Sequence, residues 1–458
     1  MNTIEAFIAQ HALRQPDKPA IICGGECCTY ADLDARINDQ ATAQRSTPNV
    51  QRPVVALRAE PTIDYLVTYF ALHRRGMVAA PLERDMPVPA FEEVSRHLQS
   101  CSVPEGSADV LYTTGTTGLS KGVIISYRTI LADAENLVSG QGFSPDTIFV
   151  VSGPLNHIGS LSKVWPVMML GGTLVIVDGL RDLNRFFDTF ALHVVGDLQS
   201  YVVGDLQSPT PKYATFLVPA SIRILIQLAS DRLAALADRI DFIETGAAAI
   251  AQADMQALCR LLPKSRLYNT YASTETGIIT TYNYNDGRCM AGCLGRPMPH
   301  SRVVITSEGR IACSGDTLMT GYIGEPERTA TVLRDGMVFT NDHGRIDDEG
   351  MLHLMGREDD VINVGGFKVA PTEVEDVAMG DGQVADCLCI AAAHPITGSA
   401  LKLLVVTADG LPLDKRRLAR HINEKLERYK VPQLYEQVEA IRRTYNGKPD
   451  RKFYRQNR

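Results

Sequence analysis

The residues best suited to do chemistry lie in one run, Leu111-Tyr112-Thr113-Thr114-Gly115-Thr116-Thr117-Gly118-Leu119-Ser120-Lys121-Gly122. Threonine hydroxyls donate hydrogen bonds, and glycines let backbone N–H groups close around an anion. The Lys121 ammonium adds a charge that can reach the same oxygens. A mostly apolar stretch leads into the run at 109–112 and an apolar one out of it at 123–125, so it reads as a phosphate-holding loop between two strands. It is not a Walker A loop: Gly118 and Lys121 have the wrong spacing, and Gly122 stands where a magnesium-binding Ser or Thr would be. The plain alternative is a polar linker, which the density of Thr and Gly with a Lys at a fixed offset disfavours.

The hydrophobic pattern describes the scaffold that must hold this loop. A first helix is expected from residue 4, with Asn2 and Glu5 as a capping box and Pro16 and Pro19 beyond its end. Strands are expected at 20–23, 27–30, 54–57 and 77–81, and helices at 33–37 and 63–73. Further strands at 173–178, 213–218 and 241–245 continue the alternation, which argues for mostly parallel sheets covered by helices. After about Gly292 short strands at 302–305, 310–314, 338–340 and 351–355 alternate with turns, the pattern of a small β-rich subdomain at about 292–355. Beyond Gly356-Arg357 a mixed α and β pattern returns. Leu418, Ile422 and Leu426 there mark the apolar side of a basic helix. A stretch beginning at Val194 repeats eight residues later as Val202-Val203-Gly204-Asp205-Leu206-Gln207-Ser208. Two copies are too few for a solenoid, and no function is assigned to them.

In this order the motifs resemble the adenylate-forming (AMP-binding) superfamily: acyl-CoA synthetases, adenylation domains of peptide synthetases, and luciferases. The residues at 113–122 are similar to its phosphate loop. Thr29-Tyr30-Ala31-Asp32-Leu33, Thr245-Gly246-Ala247-Ala248-Ala249 and Tyr271-Ala272-Ser273-Thr274-Glu275 resemble its next elements. Asp342 follows in Phe339-Thr340-Asn341-Asp342, then Gly356-Arg357-Glu358-Asp359-Asp360, the stretch from Gly365-Gly366, and Asn446-Gly447-Lys448. Ser120 replaces a usual Pro, Ala272 and Asn341 each replace a Gly, and Tyr445-Asn446 replace smaller or apolar residues. None of these changes removes a charged group.

The resemblance implies an α/β fold: a large N-terminal domain (1–357) of parallel-type sheets covered by helices plus the β-rich subdomain, and a small mobile α+β C-terminal domain (358–458). It implies attack of a carboxylate on the α-phosphate of ATP. Thr113, Thr114, Gly115, Thr116, Thr117, Gly118 and Lys121 would then hold phosphates, and Glu275 would ligate Mg2+ beside Thr274. Gly246, Ala247 and Ala248 would leave room for adenine, on which Tyr271 would stack. Asp342 would bind the ribose, with Arg357 near the sugar or phosphates. Lys448 would bridge the carboxylate and the α-phosphate. Asp359 would be a hinge, and rotation about it would bring Gly365 and Gly366 to an incoming pantetheine thiol.

Gly153-Pro154-Leu155-Asn156-His157-Ile158-Gly159 resembles the element in acyl- and aryl-CoA ligases where a His gates the carboxylate pocket. Amino-acid adenylation domains of that superfamily carry an Asp near this place to pair the α-ammonium; none lies between Leu155 and Val164, so the resemblance implies a carboxylic acid lacking an α-amino group. Lys163 and Arg223 are candidates to meet a second carboxylate. The expected acceptor is coenzyme A, the alternative being the phosphopantetheine of an acyl carrier protein. A catalytically silent nucleotide-binding protein is a further alternative, disfavoured by the joint presence of Lys121, Glu275 and Lys448.

Composition limits the other classes. With 46 basic and 53 acidic residues the chain carries a net charge of -7, which gives no general pull toward nucleic acid or anionic membrane. No window approaches the roughly 18 uncharged apolar residues of a membrane span, and Gly171-Gly172 break the longest apolar run. The first residues lack a basic stretch followed by an apolar one, so a cytoplasmic location is expected. Ten scattered cysteines without paired CxxC spacing read as reduced, mostly buried thiols.

Overall fold

A computed structural model describes residues 3–43, 53–113, 121–190, 212–364, 367–394, 398–444 and 447–456. Six of its strands run parallel in one sheet, in the order Pro19–Cys23, Thr173–Ile176, Ile148–Val151, Tyr213–Phe216, Ile240–Thr245 and Arg266–Ser273. Ile148–Val151, Thr173–Ile176 and Tyr213–Phe216 are buried along their whole length, which is why their sequences read as continuous apolar runs. Apolar clusters lie on the two sides of this sheet. One is built around Trp165, Tyr69 and Phe149, the other around Tyr213, Ile222 and Leu258.

The β-rich region is not a sheet of its own. Cys293–Pro297 pairs with Gly277–Asn283 on one side and with Leu352–Arg357 on the other. Through it the antiparallel strands Ser301–Ile305, Arg310–Gly315 and Met337–Ile346 continue the edge of the main sheet. Gly321–Tyr322 leaves this region altogether and joins a second sheet of five strands.

That second sheet carries the candidate phosphate loop. Val54–Arg58, Val78–Leu82 and Ser107–Tyr112 run parallel, and Gly122–Ser126 returns antiparallel to Ser107–Tyr112. The Thr113 N–H donates to the Lys121 carbonyl at 3.0 Å, closing the base of the loop. Thr114, Gly115, Thr116, Thr117 and Gly118 lie outside the described residues, as do Gly365, Gly366 and the repeat at 194–208. Gly122 serves packing: a Cβ there would stand 2.6 Å from Ile323 Cγ2.

The first helix, Ile4–Arg14, is capped at Thr3, whose side chain makes no capping bond. Asn2, its expected cap, lies outside the described residues. Residues from 362 onward have an apolar cluster of their own, including Val369, Leu403 and Leu418. It is built on the sheet Val384–His394, Gly398–Thr407 and Leu434–Gln437. The basic helix is Lys415–Asn423, with Leu418 and Ile422 buried and Leu426 beyond its end. All ten cysteines are free thiols. Among the described residues no helix is long and apolar enough to cross a membrane.

Candidate active site

A cavity of about 710 Å³ opens where the two sheets and the C-terminal unit meet. Its walls bring together Thr113, Lys121, His157, Gly246, Ala247, Ala248, Tyr271, Thr274, Glu275, Asp342, Arg357 and Lys448. These residues span more than three hundred positions of sequence and share one chamber.

Glu275 stands on the turn between Arg266–Ser273 and Gly277–Asn283. Reciprocal bonds tie that turn: the Thr276 N–H donates to Ser273 Oγ and the Ser273 N–H to Thr276 Oγ1, both at 3.1 Å. Gly277 follows at φ +68°, where a Cβ would meet the Thr317 carbonyl oxygen at 2.5 Å, so no side chain fits there. The Tyr322 hydroxyl donates to Glu275 Oε1 at 3.0 Å. Lys121 Nζ lies 5.3 Å from the centre of the same tyrosine ring. Tyr322 is placed by the pairing of Gly321–Tyr322 with Gly122–Ser126, and it ties Lys121 of the candidate phosphate loop to the candidate metal ligand.

Asp342 and Arg357 face each other across the antiparallel pair Met337–Ile346 and Leu352–Arg357, with 3.4 Å between guanidinium and carboxylate. The buried Tyr271 hydroxyl donates to Asp342 Oδ2 at 2.7 Å. A carboxylate has room for about four hydrogen bonds, so Asp342 can still accept from a ligand's hydroxyls. Gly246 allows close approach of its neighbours, since a Cβ there would lie 3.0 Å from the Thr270 carbonyl oxygen. Ala247 holds φ at +66°, an uncommon conformation for a residue with a side chain.

Lys448 reaches the chamber from the C-terminal unit. An isolated bridge between Arg443 and Pro449 closes its loop, and Gly447 turns it with φ at +77°. A Cβ at Gly447 would stand 3.2 Å from Val218 Cγ2, so the loop rests on the start of the helix Pro219–Ala234. Burial and the nearby Arg357 lower the Lys448 pKa from its ordinary value, while Asp342 and Glu275 oppose the shift. His157 precedes the helix Ile158–Leu170, and its Nε2 is buried with no partner among the described residues. Burial, helped by Lys448, lowers this imidazole to about 4, so it is neutral at physiological pH.

Two expected positions behave differently. Arg223 does not line the cavity; its guanidinium binds Asp254 at 2.8 Å and Asp386 at 2.5 Å. Lys163 does line it, but its ammonium is paired with Glu244 at 2.9 Å, with both side chains buried. A second carboxylate would therefore meet a charge already neutralised. Tyr322 and Glu244 were not among the expected residues. Asp359 lies in a short 3-10 turn, Glu358–Asp360.

Among the described residues no group of three or more His, Cys, Asp or Glu is placed to hold a metal by itself. Glu275 as a lone carboxylate fits Mg2+, which binds through one or two carboxylates and takes its other ligands from phosphate and water.

Comparison with known proteins finds matches along nearly the whole chain. The AMP-binding enzyme family matches residues 8–103 and 99–323, and the AMP-binding enzyme C-terminal domain matches 373–448. A feruloyl-CoA synthase from Amycolatopsis is 27% identical over 96% of this chain and 96% of its own length. An indoleacetate–CoA ligase from Aromatoleum aromaticum is 24% identical over 97% of this chain and 96% of its own. The crystal structure of ATP-bound MatB from Rhodopseudomonas palustris superposes with a TM-score of 0.84 at 21% identity, covering 100% of this chain and 99% of that one.

Proposed function

Because the chain belongs to the AMP-binding enzymes, the adenylate-forming superfamily of ligases, we propose that it activates a carboxylic acid with ATP and passes the acyl group to the thiol of coenzyme A. In the first step a carboxylate oxygen attacks the α-phosphorus, the bond to pyrophosphate breaks, and an acyl-adenylate forms. In the second step the thiol sulfur attacks the acyl carbon, the thiol proton is lost, AMP leaves and a thioester forms.

The observation that carries this reading is the convergence of Lys448 with His157, Glu275, Asp342 and Arg357 on one cavity. Phosphoryl transfer asks the protein mainly for positioning and charge stabilisation. The Lys448 ammonium, taken out of water beside Asp342 and Glu275, stabilises charge building between carboxylate and α-phosphate. Thr113 and Lys121 flank the phosphates at the base of their loop. Tyr271 and the small residues Gly246, Ala247 and Ala248 bound the space for adenine, and Asp342 receives the ribose hydroxyls. Mg2+ held by Glu275 beside Thr274 would neutralise phosphate charge. His157, neutral and with no partner for Nε2 among the described residues, offers a hydrogen bond to the acid's carboxylate.

The names of the relatives favour coenzyme A as the acceptor over a carrier-protein phosphopantetheine. His157, with no carboxylate on the turn that follows it, favours an acid without an α-amino group. The C-terminal unit, residues 358–458, acts as a cap that places Lys448 for adenylation. It then turns about Asp359 to bring Gly365 and Gly366 toward the thiol. The test is acid-dependent exchange of pyrophosphate into ATP across a panel of carboxylic acids, followed by thioester formation with coenzyme A. Exchange and thioester with at least one acid support the reading; nucleotide binding without exchange for any acid overturns it.

A further inference from the structure

Lys163 and Glu244 form a fully buried ion pair that lines the cavity and has no part in the chemistry assigned above. Lys163 is the one charged residue of its helix, and Glu244 is the buried carboxylate of its strand. Lys163 lies on the helix Ile158–Leu170, between Leu161 and Val164, and Glu244 follows Phe242-Ile243 on the strand Ile240–Thr245. Lys163 Nζ is 2.9 Å from Glu244 Oε1, 3.2 Å from Ser162 Oγ and 5.4 Å from the centre of the Phe216 ring. Glu244 Oε2 is buried and has no hydrogen-bond partner among the described residues.

A buried ion pair is a weak source of stability, and apolar residues of the same volume often serve as well or better. A buried carboxylate oxygen left without a donor costs more still. At the wall of a binding cavity, the partner that Oε2 lacks can come from the ligand. The pair is neutral as a whole, so it does not select a second carboxylate or a second ammonium. It presents an acceptor, Oε2, beside an ammonium with a third N–H to give. A hydroxyl complements both, donating to Glu244 and accepting from Lys163. The nearby Asp133 adds no clear negative charge, since burial raises its carboxyl to about 8.

Position sets where that hydroxyl lies. Lys163 is six residues along from His157, which caps the same helix, so it lies about 9 Å deeper at about 1.5 Å per residue. An acid whose carboxylate meets His157 and Lys448 therefore points its far end at the pair. We propose that Lys163 and Glu244 are the specificity element of the acid pocket and select acids carrying a hydroxyl remote from the carboxylate. This rests on the reading of the cavity as the site of acid activation.

The test compares kcat/KM for pyrophosphate exchange on matched acids that differ only in the hydroxyl: 4-hydroxycinnamate with cinnamate, 4-hydroxyphenylacetate with phenylacetate, and ω-hydroxyoctanoate with octanoate. A site built to hydrogen-bond a hydroxyl rejects the analogue lacking it, by up to about 10⁴–10⁵, and a preference of at least about a hundredfold is expected in at least one pair. The double variant Lys163→Met with Glu244→Leu should abolish that preference while keeping exchange on the plain acid. Equal kcat/KM within each pair for the wild type overturns the proposal and leaves the ligase reading standing. An undiminished preference in the double variant also overturns it. Exchange with other carboxylic acids but with none of the hydroxylated ones also overturns it, and nucleotide binding without exchange for any carboxylic acid overturns both.

Discussion

Arg223 and Asp386 meet at 2.5 Å across the seam between the large α/β body and the C-terminal unit. Asp386 also accepts from Arg443 at 2.5 Å, and Arg443 donates to the Gly447 carbonyl at 3.1 Å. One carboxylate thus links the helix Pro219–Ala234 to the loop that carries Lys448. Gln227, one turn further along that helix, donates to the Ala385 carbonyl at 3.1 Å and supports the same docking.

Asp386→Asn should separate the two half-reactions. It leaves two arginines facing a neutral amide, and breaking a largely buried pair costs about 3–5 kcal/mol of the docked arrangement. Pyrophosphate exchange is expected to fall at least tenfold, as docking holds Lys448 in place. Thioester formation from pre-formed acyl-adenylate, for which a turned arrangement is proposed, should fall much less. Equal losses in both steps would remove the special role of this docking.

Tyr322→Phe tests the link between the phosphate loop and Glu275. The hydroxyl that orients Glu275 is lost, and a hydrogen bond to a charged group contributes about 1.5–3 kcal/mol. The Mg2+ concentration for half-maximal exchange should rise roughly tenfold, while the preference among acids stays unchanged. A Mg2+ titration of exchange reads this directly, and an unshifted midpoint would show that Glu275 needs no such support.

His157 gives a pH signature. Its imidazole falls from 6.5 unfolded to about 4 folded. Between those values the unfolded chain binds the proton and the folded one does not, so stability falls as pH drops through this window. Above about 6.5 the effect is constant. The whole difference is on the order of 3 kcal/mol at 1.36 kcal/mol per unit. Urea unfolding at about pH 7 and about pH 4.5 should show the wild type losing more stability than His157→Gln. Parallel losses would mean the imidazole is not held neutral.

Much of this arrangement is legible in the sequence because it is local. Continuous apolar runs announce buried parallel strands, and the Thr- and Gly-rich run announces a loop between Ser107–Tyr112 and Gly122–Ser126. The fusion of the β-rich region into the main sheet is not local. It depends on Thr280 pairing with Pro297 and Cys293 with His353, registers that no short window encodes. Tyr322 was hidden for the same reason, since it acts from a two-residue strand of another sheet. Arg223 is a candidate for a second carboxylate by residue type alone, which does not say which way it faces. On the helix, however, Ala220, Ser221 and Ile224 face the cavity while Arg223 turns to Asp254 and Asp386. Glu244 did leave a signal, a carboxylate directly after the apolar pair Phe242-Ile243 and just before Thr245-Gly246.

Lys448 is the residue on which the proposed chemistry turns, and Lys448→Ala gives its most direct measurement. Removing one preorganised charge-stabilising group costs about 10²–10³ in rate. Acid-dependent pyrophosphate exchange should therefore fall by at least a hundredfold, with nucleotide binding and the unfolding midpoint close to wild type. Exchange near the wild-type rate in that variant would contradict the account.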